Sequence, residues 1–226
     1  EELMDDFDSI FERAAARHGG AGAVEERLYK VKSTRQLKAI KDDRWLAEIA
    51  KRVFQAGFVW KIIEAKWPGF EEAFGQFDVQ YLAHLSDDDI DNLLSDTRIV
   101  RNGQKIIAVR DNAIFLTKLQ QEHGSVARFF AEWPSDDLIG LLEVMKKRGS
   151  RLGGMTGCYF LRFMGKESFI LSRDVNAALI GMGVVDKAPT SKAALQKVQA
   201  AFNKWKEESG RNITHISQVL AMSADG

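Results

Sequence analysis

Apolar residues in this chain recur at helical spacing almost from end to end, and no alternating β-branched run exceeds about four residues. Met4, Phe7, Ile10 and Phe11 share one helical face, and His18-Gly19-Gly20 stops that run. Asp42 and Asp43 open a helix carrying Leu46, Ile49, Ala50 and Val53, and Ser86 with the acids Asp87 to Asp89 opens another. A long amphipathic stretch from Gln104 to His123 is closed by Gly124. Ser135 caps a helix bearing Leu138, Leu141, Leu142 and Met145, ended by Gly149, while Thr190 and Asn212 cap two final helices. Pro68, Pro134 and Pro189 each sit where a helix begins, and only Ser168 to Leu171 has a strand-like pattern. The pattern predicts an all-α chain of about ten or more helices joined by short loops. At about 100–200 residues per domain, 226 residues make one compact unit, 1–226, or two interlocked lobes.

The charge totals balance at 32 basic and 32 acidic residues, but their distribution is uneven. Residues 1–30 carry eight acids against four bases, and residues 61–98 carry nine against three. Between 146 and 173, Lys146, Lys147, Arg148, Arg151, Arg162, Lys166 and Arg173 face a single acid, Glu167. A local excess of that size attracts a polyanion even on a neutral molecule, although it equally fits a solvated basic helix end. One cysteine forbids an internal disulfide and any cysteine-rich zinc framework. No apolar run reaches the ~18 residues of a membrane span, and residues 1–12 are acidic where a signal peptide would be cationic. The expectation is a cytoplasmic protein with no membrane partner.

The segment 149–165 joins a basic helix end to a helix carrying Phe160, Leu161 and Met164. Gly153, Gly154 and Gly157 permit positive φ or close backbone approach, and the helix that follows begins with unpaired N–H groups. Such a turn holds a DNA phosphate through backbone donors; it is also an ordinary glycine-rich connection.

Leu152-Gly153-Gly154-Met155-Thr156-Gly157 resembles the helix-hairpin-helix element of the DNA glycosylase superfamily. Gln55-Ala56-Gly57-Phe58-Val59-Trp60, then Phe70-Glu71-Glu72-Ala73-Phe74 and Phe77-Asp78, resemble the DNA-3-methyladenine glycosylase I family. Ile99-Val100-Arg101-Asn102, Lys105-Ile106 and Asn112-Ala113 continue that resemblance in order, so that it covers about 44–180. It implies a two-lobed helical enzyme with a cleft between the lobes, which flips an alkylated base from duplex DNA and hydrolyses its N-glycosidic bond. Residues 1–43 and 190–226 lie outside it, as helical extensions expected to pack together in the second lobe.

Three of the five tryptophans, Trp45, Trp60 and Trp67, fall within 44–81 among six other aromatic residues. Aromatics at helical spacing usually build core. The resemblance places Trp60 at the family's base-stacking tryptophan, with Phe58 and Phe54 lining the same pocket. Tyr159 either projects toward that pocket or hydrogen-bonds within the core. Lys147, Arg151 and Arg101 are the expected phosphate contacts, beside the hairpin residues Gly153, Gly154, Met155, Thr156 and Gly157.

Four departures from the family pattern carry information. Arg52 stands where the family keeps a pocket glutamate; a cation there repels a positively charged alkylpurine and suits a neutral or electron-rich edge. Glu48, one helical turn earlier, either supplies a carboxylate to the same face or is a surface acid. The superfamily's catalytic aspartate position falls on Ser172; Asp174, two residues on, either takes the electrostatic role or caps the helix beginning at Val175. The family's Cys/His zinc positions read Asp174 and Ala178, so no metal site of that type forms and no cofactor is expected. Cys158 and Tyr159 occupy the neighbourhood of the lyase lysine, which implies a monofunctional enzyme. The expected partner is double-stranded DNA with a damaged base, bound by a monomer. A non-catalytic DNA-lesion or DNA-structure binder on the same scaffold is the alternative that Arg52 and Ser172 raise.

Overall fold

The computed structural model describes residues 4–224. Residues 1–3 and 225–226, which end the segments 1–12, 1–43 and 190–226 named above, lie outside it. Among the described residues the chain is helical throughout, with no strand. The helices in order are α1 (Phe7–Arg17), α2 (Ala21–Glu26), α3 (Thr34–Lys38), α4 (Asp42–Gln55), α5 (Trp60–Ala73), α6 (Val79–Ala83) and α7 (Asp87–Leu94). They continue as α8 (Gly103–His123), α9 (Val126–Glu132), α10 (Leu138–Arg148), α11 (Gly154–Met164), α12 (Arg173–Gly181), α13 (Lys192–Ser209) and α14 (Ile213–Ser223). Single 3-10 turns occupy Gly75–Phe77 and Ser135–Asp137.

The contacts divide the chain into two units. One comprises the chain up to Val31, Pro134–Gly140 and the chain from Glu167 on; the other comprises Lys32–Trp133 and Leu141–Lys166. In the first, α14 packs against α1, α12 and α13, and its buried Ile216, Val219 and Leu220 form the centre. The segment Ser168–Leu171, strand-like in sequence, is an extended connection here. Its buried amides donate to hydroxyls on α14 instead of to a neighbouring strand, Ser168 to Thr214 Oγ1 at 3.0 Å and Ile170 to Ser217 Oγ at 3.0 Å. Burial of the segment explains its apolar alternation, and the serine and threonine of α14 satisfy its backbone.

In the second unit α4 is the central element, packed against α5, α8, α9 and α11. Trp45 stacks on Phe130 (5.0 Å between centroids) and meets Phe160 edge-on, while Phe54 packs against Phe70 and Phe74 in a second cluster that includes Trp67 and Phe77. Two buried lysines close helices here. Lys105 Nζ donates to the carbonyls of Phe54 (3.0 Å) and Ala56 (2.7 Å) at the end of α4, and Lys166 Nζ to those of Ala131 and Trp133 at the end of α9. A lysine suits that place because the last carbonyls of a helix carry its negative dipole end.

Several helix starts differ from their sequence expectation by a few residues. Lys41 precedes α4, so Asp42 and Asp43 lie within its first turn, where they still meet the positive dipole end. Ser191 rather than Thr190 caps α13, accepting from Ala194. Ser135 begins the 3-10 turn before α10 instead of capping it. Pro68 lies inside α5; it is exposed, so the carbonyl deprived of its partner one turn back remains open to solvent. Pro189 lies in the connection before α13.

Candidate nucleic-acid interface

Helix α10 ends at Arg148 and α11 starts at Gly154, so residues 149–153 form the turn of a helical hairpin. A Cβ on Gly157 would stand 2.6 Å from the Leu152 carbonyl oxygen, closer than any side chain allows, so the first turn of α11 lies directly against the turn backbone. Gly154 has φ +60°, in the left-handed region. Gly153 occupies the cap position and makes no side-chain cap bond, so no side chain of the cap competes for the first N–H groups of α11. The turn is fixed from outside by Asn112 of α8. Its amide accepts from Ser150 N–H (2.7 Å) and donates to Ser150 C=O (2.9 Å), and Asn112 itself is buried.

The charge of this region is smaller than its sequence count. Arg148 makes a bidentate pair with Glu122 (2.9 and 2.6 Å), Lys147 pairs with Glu143 (2.7 Å), and Lys166 is buried on carbonyls. Glu122 and Glu143 fall outside residues 146–173, which is why a window along the sequence misses them. Arg151 is exposed and bonds the neutral Gln104 (3.1 Å); Arg101, Lys146 and Met155 are exposed, and Thr156 is half-buried.

The same unit places Trp60 against the hairpin's second helix. Its indole meets Tyr159 edge-on at 5.0 Å and Phe163 at 6.2 Å, and the Tyr159 and Phe163 rings are stacked. Trp60 is the first residue of α5, reached through a turn, Ala56 to Val59, that is exposed throughout and tethered at Ala56 by Lys105. Phe58 is 40% exposed and lies 5.9 Å from the Lys105 ammonium. Burial holds the pKa of Lys105 below its ordinary value, and the charge of Arg151 adds to the effect. The hairpin arginine and the ring of Phe58 thus flank one buried ammonium group.

Arg52 points into this cluster. Its guanidinium lies 3.8 Å from the centroid of Phe163 and 5.8 Å from that of Trp60. Nε bonds Glu48 Oε1 at 2.6 Å, Nη2 lies 2.5 Å from the same oxygen, and Nη1 bonds Gln55 Oε1 at 2.7 Å. Glu48 therefore sits half-buried in an ion pair at i,i+4 spacing. The Tyr159 hydroxyl bonds no described residue, and the ring contributes its faces and edge alone.

The structure thus gathers Arg52, Glu48, Trp60, Tyr159, Phe58, Arg151 and the hairpin glycines in one unit. The ring of Phe54 is fully buried in the core cluster with Phe70 and Phe74. Asp174 belongs to the other unit, exposed in the first turn of α12; the cap there is Ser172, whose Oγ accepts from Val175 at 3.3 Å. Among the described residues no group of three His, Cys, Asp or Glu side chains could hold a metal ion, and Cys158 is buried. Among the same residues no helix is long and apolar enough to cross a membrane.

Four contributors were not read as such from sequence: Gln55, Phe163, Lys105 and Asn112. The i,i+4 spacing of Glu48 and Arg52, and the i,i+3 spacing of Arg52 and Gln55, signal a shared helix face. Asn112 and Lys105 fall in the family-like motifs, but nothing local shows what they bond, because their partners lie 38 and about 50 residues away along the chain.

Residues 37–141 match the family model described as methyladenine glycosylase. That segment, just under half of the chain, is similar to the methyladenine glycosylase family. DNA-3-methyladenine glycosylase 1 of Escherichia coli (strain K12) is 27% identical, and the match covers 46% of this chain and 66% of that protein, just under two thirds of its length. Among solved structures, 3-methyladenine DNA glycosylase I (TAG) from Staphylococcus aureus covers 64% of this chain and 84% of its own, with TM-score 0.51 and 22% identity. The Methanocaldococcus jannaschii 8-oxoguanine glycosylase/lyase, solved with a 15mer DNA containing 8-oxoguanine, covers 94% of this chain and 95% of its own, with TM-score 0.57 and 11% identity. At these identities the likeness speaks for the fold, which is the helix-hairpin-helix glycosylase fold.

Proposed function

We propose that this protein is a monofunctional DNA glycosylase of base excision repair, which flips a damaged purine against Trp60 and hydrolyses its N-glycosidic bond. A 3-methyladenine-like alkylated purine is the substrate class implied by the similarity to that family. The observation that carries the reading is the direct packing of Trp60 on Tyr159 and Phe163, two residues of the helix that the glycine hairpin opens. One rigid element thereby joins the phosphate-binding turn to the base-stacking ring, as extrusion of a single nucleotide requires. In this reading the first-turn amides of α11, Arg151 and Lys147 hold the backbone of duplex DNA, with Arg101 as a further contact.

A damaged purine is a good leaving group. Water adds its oxygen to C1′ as the C1′–N bond breaks and the departing base keeps the bonding electron pair; a cationic alkylpurine thereby leaves neutral and water's proton passes to solvent, whereas a neutral purine leaves as an anion and takes that proton. Glu48, held by Arg52, acts in this scheme as a positioning residue. The test is base release from duplex oligonucleotides carrying 3-methyladenine, 7-methylguanine, hypoxanthine or uracil. Release of at least one base, abolished by Trp60→Ala, supports the reading. Salt-sensitive DNA affinity without release from any lesion replaces it with a lesion-binding protein.

A further inference from the structure

Gln55 is 1% exposed, yet its side-chain Nε2 has no hydrogen-bond partner among the described residues. The amide cannot simply be turned over, because Oε1 already accepts from Arg52 and a flip would set N–H against N–H. An unmet buried donor is unfavourable, and such groups ordinarily find a partner in protein, water or ligand. Beside it, the bonds of Arg52 to Glu48 and Gln55 leave at least one N–H each on Nη1 and Nη2. Donors therefore outnumber acceptors at this point, next to the indole of Trp60. The charges nearby add to the bias. Glu48 offsets Arg52, while Lys105 and Arg151 stand close enough to each other for Arg151 to depress the lysine's pKa.

We propose that Arg52 and Gln55 form the base-reading edge of this site, and that they select a neutral purine carrying a carbonyl oxygen, a 6-oxopurine or an oxidised purine, over a positively charged N-alkylpurine. The proposal rests on the glycosylase reading above and, among damaged purines, replaces the alkylated base of its relatives with a neutral one. Paired N–H groups of an arginine match the O6 and N7 acceptors of a 6-oxopurine edge, an 8-oxopurine, whose N7 carries hydrogen, offers O6 and O8 to them instead, and a glutamine amide adds another donor. The 6-amino group of an adenine derivative would place a donor against these donors, and a fixed positive charge on the ring would face the guanidinium without a free carboxylate to receive it. Glu48, already tied to Arg52, does not supply one.

Base release and duplex affinity are measured together on four otherwise identical oligonucleotides, carrying hypoxanthine, 8-oxoguanine, 3-methyladenine or an undamaged purine. The expected result is release of hypoxanthine or 8-oxoguanine about tenfold or more faster than 3-methyladenine, with the same order in Kd if no base is released. Arg52→Gln should shrink that preference about tenfold, and Gln55→Met should shrink it in the same direction; melting curves of both variants establish that they fold. A preference for 3-methyladenine, or a ranking that neither variant alters, overturns the proposal and leaves the glycosylase reading standing. Absence of release together with equal, salt-insensitive affinity for all four duplexes overturns that reading, and the proposal with it.

Discussion

Replacing Asn112 by alanine tests how the hairpin is held. The side chain makes two hydrogen bonds to one residue of the turn, Ser150, at 2.7 and 2.9 Å. Each such bond contributes about 1 kcal/mol net, and each half-buried backbone group left unpaired adds a further part of its desolvation cost. The expected loss is about 2–4 kcal/mol, which for a chain of this length lowers Tm by roughly 4–16 °C. The turn would also lose its register on α8, so affinity for any duplex, damaged or not, should fall about tenfold or more. Asn112→Asp separates the two bonds. It keeps the acceptor for Ser150 N–H but sets a carboxylate oxygen against Ser150 C=O, so it should be at least as damaging as alanine despite its equal size. Calorimetric melting and fluorescence anisotropy with undamaged DNA measure both quantities. If Asn112→Ala leaves Tm and affinity unchanged, the turn is held by other contacts and the clamp is not a determinant of the interface.

Trp60→Ala should cost about 1–2 kcal/mol, below the ~3–5 kcal/mol of a fully buried indole because the ring is half-exposed, while abolishing lesion discrimination; chemical unfolding and base release read the two. Reversing Lys147 and Arg151 to Glu should weaken all DNA binding and lower the salt slope of log Kd by about 2; an unchanged slope removes their phosphate role. Acid should destabilise the fold below its carboxylate range. Arg211 holds Glu25 below its ordinary pKa, Arg98 does so for Asp96, Lys38 and Arg128 for Glu132, and the Ser86 cap for Asp89. Each contributes stability that is present above its unfolded value, 3.8 or 4.5, and lost as pH falls through the lower folded value. Asp42, raised by burial and by Asp43, acts with the opposite sign. Urea midpoints between pH 7 and 3 should stay level down to about 5 and then drop.

Sequence periodicity is enough to assign α1, α7, α8 and α10, because an amphipathic helix writes its buried face at fixed intervals. The capping box of Ser86 and Asp89 is legible for the same reason, as is the glycine turn that opens α11. What could not be read depends on residues far apart in the chain. The strand-like stretch at Ser168 is buried under α14, whose hydroxyls do the work of a second strand. The basic run before the hairpin is partly neutralised by Glu122, supplied from α8. The ion pair of Glu48 and Arg52 lies on one helix and could have been inferred; its stacking on Phe163 depends on how α11 packs against α4.

Arg151 has φ +58°, a conformation in which a residue with a Cβ is disfavoured by about 1–2 kcal/mol and glycine is not. The backbone of the hairpin would therefore be served better by glycine, and what an arginine brings to this place is its side chain alone. Arg151→Gly accordingly should relieve the local strain while removing a cation from the turn proposed to face the duplex, so that tolerance to heat and grip on DNA move in opposite directions. That opposition would mark the residue as one kept for what it touches and not for the shape it takes.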